Sequence, residues 1–126
     1  MEEVRQLESD VQALWDKPSA LARVRNKEER LVFLVGLFLE DMPGRVVELG
    51  QAVKARDYEG ACQLAHAIKG VAGNISGLQL FEAAGAFERG AKAQQEDLDS
   101  LYDELSSAHD VLCDILREYS QSMQAE

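Results

Sequence analysis

The sequence predicts an all-α domain: an antiparallel four-helix bundle with an additional N-terminal helix packed across it. Three observations carry this. Proline occurs only twice in 126 residues, while alanine, leucine, glutamate and glutamine are abundant and favour helix. No stretch alternates apolar and polar residues in the manner of a half-buried strand. Apolar residues instead recur every three or four positions in long runs separated by short polar breaks, the pattern of antiparallel helices joined by tight connections.

The elements follow in order. Val4, Leu7, Val11 and Leu14 stand at helical spacing, so Val4 to Trp15 reads as a short amphipathic helix. Pro18 is expected to end it, and Ser19 to cap a brief turn through Arg23. Asn26 followed by Glu29 reads as a capping pair for a helix through Leu31, Leu34, Val35, Phe38 and Met42. Pro43 removes a backbone donor, so the helix kinks or restarts there. The pattern resumes with Val46, Val47, Leu49 and Val53 and closes on Lys54 and Arg56, cations suited to a helix C-terminus. Asp57 can cap the next helix, Tyr58 to Ile75. Ser76 and Gln79 read as a capping box for another over Leu78 to Lys92. After a break formed by Gly90 and 93–97 (AQQED), the last helix runs from Asp97 to Gln121, with Leu98, Leu101, Leu105, Ala108, Leu112, Ile115 and Tyr119 on one stripe. Its opening acids, Glu96, Asp97 and Asp99, complement the helix dipole. The chain thus divides into an N-terminal segment (1–25), the bundle (26–121) and a short tail (122–126). Between Leu31 and Leu39 the second helix is apolar nearly all round, because Val32, Phe33 and Leu37 add a second face. Either the N-terminal segment or a partner covers it.

Composition narrows the function. The formal net charge is -10, which argues against nucleic acid and against anionic membrane surfaces, since both call for a basic face. No apolar run reaches the roughly 18–20 residues of a membrane span, and the charged first residues do not form a secretory signal. Cys62 and Cys113 are the only cysteines and make no disulfide framework. A reduced, cytoplasmic setting and a monomer are the expectation. No nucleotide-binding glycine loop and no Ser-His-Asp or Cys-His arrangement is present.

The informative stretch is "QLAHAIKGVAGNIS", Gln63 to Ser76. On a helix of roughly 100° per residue, Ala61, Ala65, Ile68, Ala72 and Ile75 form a core stripe and His66 points away from it. Cys62, Lys69, Gly70 and Gly73 fall within about 60° of His66 by the same geometry. The histidine thus shares an outer face with one cation and two positions without side chains. A glycine inside a helix costs about 1 kcal/mol relative to alanine, so bare backbone is wanted there. A neutral imidazole is a good nucleophile near neutral pH. Glu88 lies beside the apolar stripe Leu80, Ala84, Phe87 and Ala91 of the following helix, where a carboxylate needs a partner.

"HAIKGVAGN" resembles the H-x-x-K-G signature of histidine-containing phosphotransfer (HPt) domains of bacterial two-component phosphorelays. The similarity extends from "LFLEDMPGRVVELGQAVKARDYEGACQLAHAIKG" through "NISGLQLFEAAGAFE", roughly Asn26 to Lys92, with a compatible terminal helix. The resemblance implies that His66 takes a phosphoryl group from an aspartyl phosphate on a response-regulator receiver domain and passes it to another receiver or back. It implies that Lys69 stabilises the phosphoryl charge and that Glu88 hydrogen-bonds Nδ1 of His66, leaving Nε2 free to attack. Cys62, Gly70 and Gly73 would then form the surface on which a receiver docks. The chain itself would hold no metal or other cofactor, Mg2+ sitting on the receiver only. It would be a carrier with no ATP site, either freestanding or the C-terminal module of a hybrid sensor kinase. Many family members have glycine where Ser76 stands.

Two other readings compete. In one, the domain is a helical adaptor that binds a partner through the apolar face of its second helix, with His66 incidental. In the other, Cys62 and His66, spaced i and i+4, share a metal, although two ligands are not a site. His109, without a lysine and glycine neighbourhood, is assigned a structural or solvated role.

Overall fold

The computed structural model describes residues 10–124; Val4 and Leu7 of the expected first helix lie outside them. Residues 10–14 are helical. They are followed by α1 (Lys17–Arg23), α2 (Glu28–Lys54), α3 (Tyr58–Asn74), α4 (Leu78–Lys92) and α5 (Leu98–Gln124). The four long helices form the antiparallel bundle: α3 packs on α4 and α4 on α5, while α2 closes the ring against both α3 and α5. Among the described residues there is no strand.

The core follows the apolar periodicity. In α2 the buried residues are Leu31, Val35, Phe38, Met42, Val46, Leu49 and Val53, and the helix continues through Pro43 without restarting. In α3 they are Ala61, Ala65, Ile68 and Ala72, with Ile75 buried just beyond the end. Alanine on this stripe lets α3 sit close to its neighbours. On α5, Leu98, Leu105, Ala108, Leu112 and Tyr119 are buried as expected, with Leu101 and Ile115 packed at the edge.

The turns differ from the sequence reading in a consistent way. Each of α1 to α4 ends with a residue in the left-handed region, and none of the four is glycine: Arg25, Ser76 and Arg56 have φ of 59°, 59° and 54°, and Gln94 has 53°. Each is closed by paired backbone bonds, such as Asn26 N–H to Leu21 O at 2.8 Å and Gly77 N–H to Ala72 O at 2.9 Å, the geometry of a Schellman motif. Asn26, itself at φ 59°, therefore finishes α1 instead of capping α2. The N-cap of α2 is Lys27, without a side-chain bond, and the acids Glu28 and Glu29 of the first turn complement the dipole. Ser76 likewise finishes α3, and α4 starts from Gly77 with no capping box. Asp57 does cap α3, accepting from Gly60 N–H at 2.9 Å. Pro18 does not end a helix: it sits in the first turn of α1, where its missing N–H has no intrahelical partner to lose. The cap there is Asp16, which accepts from Ser19 N–H at 3.2 Å.

The N-terminal residues are pinned at one end of the bundle. The buried Trp15 donates its indole N–H to Ile75 O at 2.8 Å, and Asp16 N–H bonds Ser76 O at 2.9 Å. The Trp15 ring meets Tyr119 edge-on, with centroids 5.2 Å apart. Tyr119 donates to Glu28 at 2.9 Å, and Lys17 pairs with the same carboxylate at 3.3 Å. The Tyr119 bond and Lys17 together hold the Glu28 carboxyl below its ordinary range against burial, while burial and Glu28 push the Tyr119 phenol well up.

These contacts do not cover the surplus apolar face of α2. Phe33 is 65% exposed, and Leu34 and Leu37 stay in solvent together with Val11; Val32 packs against the edge of the core. Beside them runs a groove of about 610 Å³ between α2 and α3, lined by Leu34, Leu37, Phe38, Val71 and Ile75 and rimmed by Glu40, Asp41 and Arg45.

Candidate functional site

His66 stands on the outer face of α3 with 76% of its side chain exposed, and its Nδ1 lies 2.7 Å from Oε2 of Glu88, whose side chain is only 10% exposed. The periodicity of α4 places Glu88 at the seam with α3, among the buried residues of the helix. A carboxylate in such a place has to be partnered, and the imidazole partners it. Burial pushes the Glu88 carboxyl up, but the His66 bond and the positive charges of His66, Lys92 and Lys69 outweigh it and hold the group below its usual value. Glu88 is therefore an ionised acceptor near neutral pH. Nδ1 must carry the hydrogen of that bond, which in the neutral imidazole leaves the lone pair on Nε2, the outer nitrogen.

The seam has a regular register. Antiparallel to each other, α3 and α4 place His66 opposite Glu88, Lys69 opposite Gly85, and Gly73 opposite Phe81. At Gly85 a β-carbon would stand 3.7 Å and 3.8 Å from Cε and Cδ of Lys69, so the lysine stem lies flat on bare backbone. Its ammonium ends over the Phe81 ring, 5.2 Å from the centroid. The same ring fills the notch at Gly73, where a β-carbon would meet ring carbons at 3.3 Å.

The expected site residues are thus brought together, with different roles in packing. Gly70 is open: a β-carbon there would have nothing within 4 Å. Gly73 instead makes room for Phe81 within the fold. Cys62 is half-buried and its thiol points to the Glu88 carbonyl at 4.0 Å, so it belongs to the seam more than to the open face. Sequence reasoning missed Phe81 and Gly85. The signal was present: once His66 is matched to Glu88 across a short turn, the next turns pair Lys69 with Gly85 and Gly73 with Phe81.

His109 is a structural residue. It is buried, with Nδ1 3.1 Å from Asp110 and Nε2 3.3 Å from the Cys113 thiol. Burial pushes that thiol up to about 11, so it stays protonated and donates to Nε2. Neither nitrogen of His109 is free.

The four-helix bundle thus holds one imidazole open to solvent, with its inner nitrogen against a buried carboxylate. The family model described as Hpt domain matches residues 34–123, and the chain belongs to that family: it is a phosphotransfer carrier. The crystal structure of histidine-containing phosphotransfer protein B (HptB) from Pseudomonas aeruginosa PAO1 matches with a TM-score of 0.80 at 18% identity, covering 86% of this chain and 96% of that one. At that identity the likeness speaks for the fold. No match is found among curated proteins. Among the described residues, no helix is long and apolar enough to cross a membrane.

Proposed function

We propose that His66 is the phosphoryl acceptor of a phosphorelay and that its donors and acceptors are receiver domains of response regulators. The observation that carries this is the 2.7 Å contact between exposed His66 and buried Glu88. In the reaction, Nε2 attacks the phosphorus of an aspartyl phosphate. The P–O bond to the aspartate breaks, its electrons leave with the carboxylate, and an N–P bond forms. The imidazole ring then carries positive charge, since Nδ1 keeps its hydrogen. The Glu88 carboxylate, already in place, offsets that charge without rearrangement. Lys69 is a nearby cation for the phosphoryl oxygens, in keeping with a transfer that needs positioning and charge neutralisation more than covalent machinery. The divalent cation of the reaction belongs to the receiver, and the chain works as a monomer, freestanding or as a module of a hybrid sensor kinase.

The receiver docks over open Gly70 and extends across the α2–α3 groove to Phe33 and Leu37, because the surface around His66 alone is too small for an interface of about 800 Å² per side. The adaptor reading draws on the same apolar residues but gives no role to the His66–Glu88 pair.

The test is incubation with a phosphorylated receiver. His66→Gln is expected to accept no label while nearly keeping its helicity and melting temperature, since the residue is exposed and the glutamine amide can still donate to Glu88. Lys69→Ala is expected to slow transfer without abolishing it. Acid-labile label retained in His66→Gln would defeat the assignment. NMR shifts confined to α5 on receiver binding would defeat the footprint.

A further inference from the structure

The geometry points to Phe81 as a positioning residue for Lys69: its ring is a resting berth from which the lysine is drawn when a phosphoryl group arrives on His66. This rests on the reading of His66 as the acceptor.

Lys69 lies one helical turn after His66, yet its side chain leads away from the histidine. The stem crosses Gly85 and the ammonium settles over Phe81, which stands opposite Gly73, nearly two turns from His66 along α3. The ring is held in place because it is wedged in the Gly73 notch. It is also only partly covered, at 38% exposure, so the contact is weak enough to break. A cation over an aromatic face at an exposed site is worth about 0.5–1 kcal/mol, or about two- to fivefold in an equilibrium. A charge-assisted bond from an ammonium to a phosphoryl oxygen is stronger. A phosphoryl group on Nε2 therefore wins the lysine from the ring.

The test uses the full chain and phosphoramidate, so it needs no receiver. Nε2 of His66 attacks phosphorus, the P–N bond to ammonia breaks, ammonia leaves and the N–P bond to the imidazole forms. Before labelling, the ring current of Phe81 is expected to shift the Lys69 ε-methylene protons upfield. The shift disappears in Phe81→Leu and persists in Phe81→Tyr. On labelling the wild-type protein, those protons move toward their Phe81→Leu position. Phe81→Leu, with the lysine already free, is expected to label about two- to fivefold faster than wild type, and Phe81→Tyr at the wild-type rate. In a Lys69→Ala background Phe81→Leu changes nothing. Lys69 signals unmoved by labelling, or an equal effect of Phe81→Leu with and without Lys69, overturn the berth. A protein that shows the expected shifts with phosphoramidate yet takes nothing from phosphorylated receivers keeps the berth and defeats the carrier role of His66.

Discussion

Glu88 and His66 face each other across the α3–α4 seam at 2.7 Å, one almost covered and the other almost bare. In the proposed relay this asymmetry divides the work: the covered carboxylate fixes the ring, and the bare ring meets the partner. Glu88→Gln keeps an acceptor for Nδ1–H and loses the charge that opposes the phosphorylated ring. It is expected to transfer within about tenfold of wild type, whereas Glu88→Ala loses roughly ten- to a hundredfold, the range for a hydrogen bond to a charged group. Transfer rates from a phosphorylated receiver measure both. Equal rates for the two variants would show that Glu88 does not orient the ring.

The same carboxylate makes stability depend on pH. Its folded-state value lies below the ordinary 4.5, so its contribution is fully present above that value and is lost as the pH falls through the folded one. Urea unfolding of wild type and Glu88→Gln at neutral pH and at successively lower pH is expected to show the gap between them closing in acid. A gap independent of pH would mean that the charge of Glu88 adds nothing to folding.

The two glycines of the His66 face are expected to separate. Gly70→Leu enters open space and replaces a poor helix former with a good one, adding up to about 1 kcal/mol while blocking the receiver. Gly73→Leu drives a side chain into Phe81 and lowers the melting temperature. Thermal melts and transfer assays on the pair decide it; similar melting temperatures would remove Phe81 from the Gly73 notch.

Gln94 is exposed and left-handed, with φ 53°. Gln94→Gly relieves that conformation and is expected to stabilise the fold by about 0.5–1 kcal/mol, net of the greater freedom of glycine in the unfolded chain. A destabilised variant in chemical denaturation would mean that the Gln94 side chain makes contacts outweighing its backbone.

Trp15 is expected to be part of the folding unit. Trp15→Ala removes a buried ring and orphans the Ile75 carbonyl, costing about 3–5 kcal/mol. Trp15→Phe keeps most of the packing and costs about 1–3 kcal/mol, the penalty for a buried acceptor left unpaired. A melting temperature unchanged in Trp15→Ala would make the N-terminal segment an accessory.

Much of this fold was legible in sequence, and the failures share a cause. The core stripe of α3 follows from apolar spacing alone. Asn26 and Ser76 were misread because a polar residue in a short connection between two helices has two possible employers. It can cap the helix ahead or close the helix behind, and here the paired backbone bonds of the closing motif claim it. Asp57 was read correctly because it directly precedes α3 and its own backbone is not left-handed, so its carboxylate is free to accept from Gly60 N–H. Pro18 was misread for a related reason: proline marks a helix boundary without saying on which side. In the candidate site, the contact of Glu88 with Nδ1 of His66 was expected from the family resemblance, and the two side chains do meet. Phe81 was missed because its place is read only after the His66–Glu88 match has been used to set the two helices in register.

That register has a consequence for how such a domain changes over time. His66, Lys69, Gly73, Phe81, Gly85 and Glu88 all lie on one helical hairpin, α3 and α4, joined by a single short turn. Phe33, Leu34 and Leu37 lie on α2. Substitutions at those α2 positions leave the hairpin's contacts intact. If the receiver docks as proposed, a lineage can exchange one signalling partner for another by mutating α2 while the hairpin is inherited unaltered.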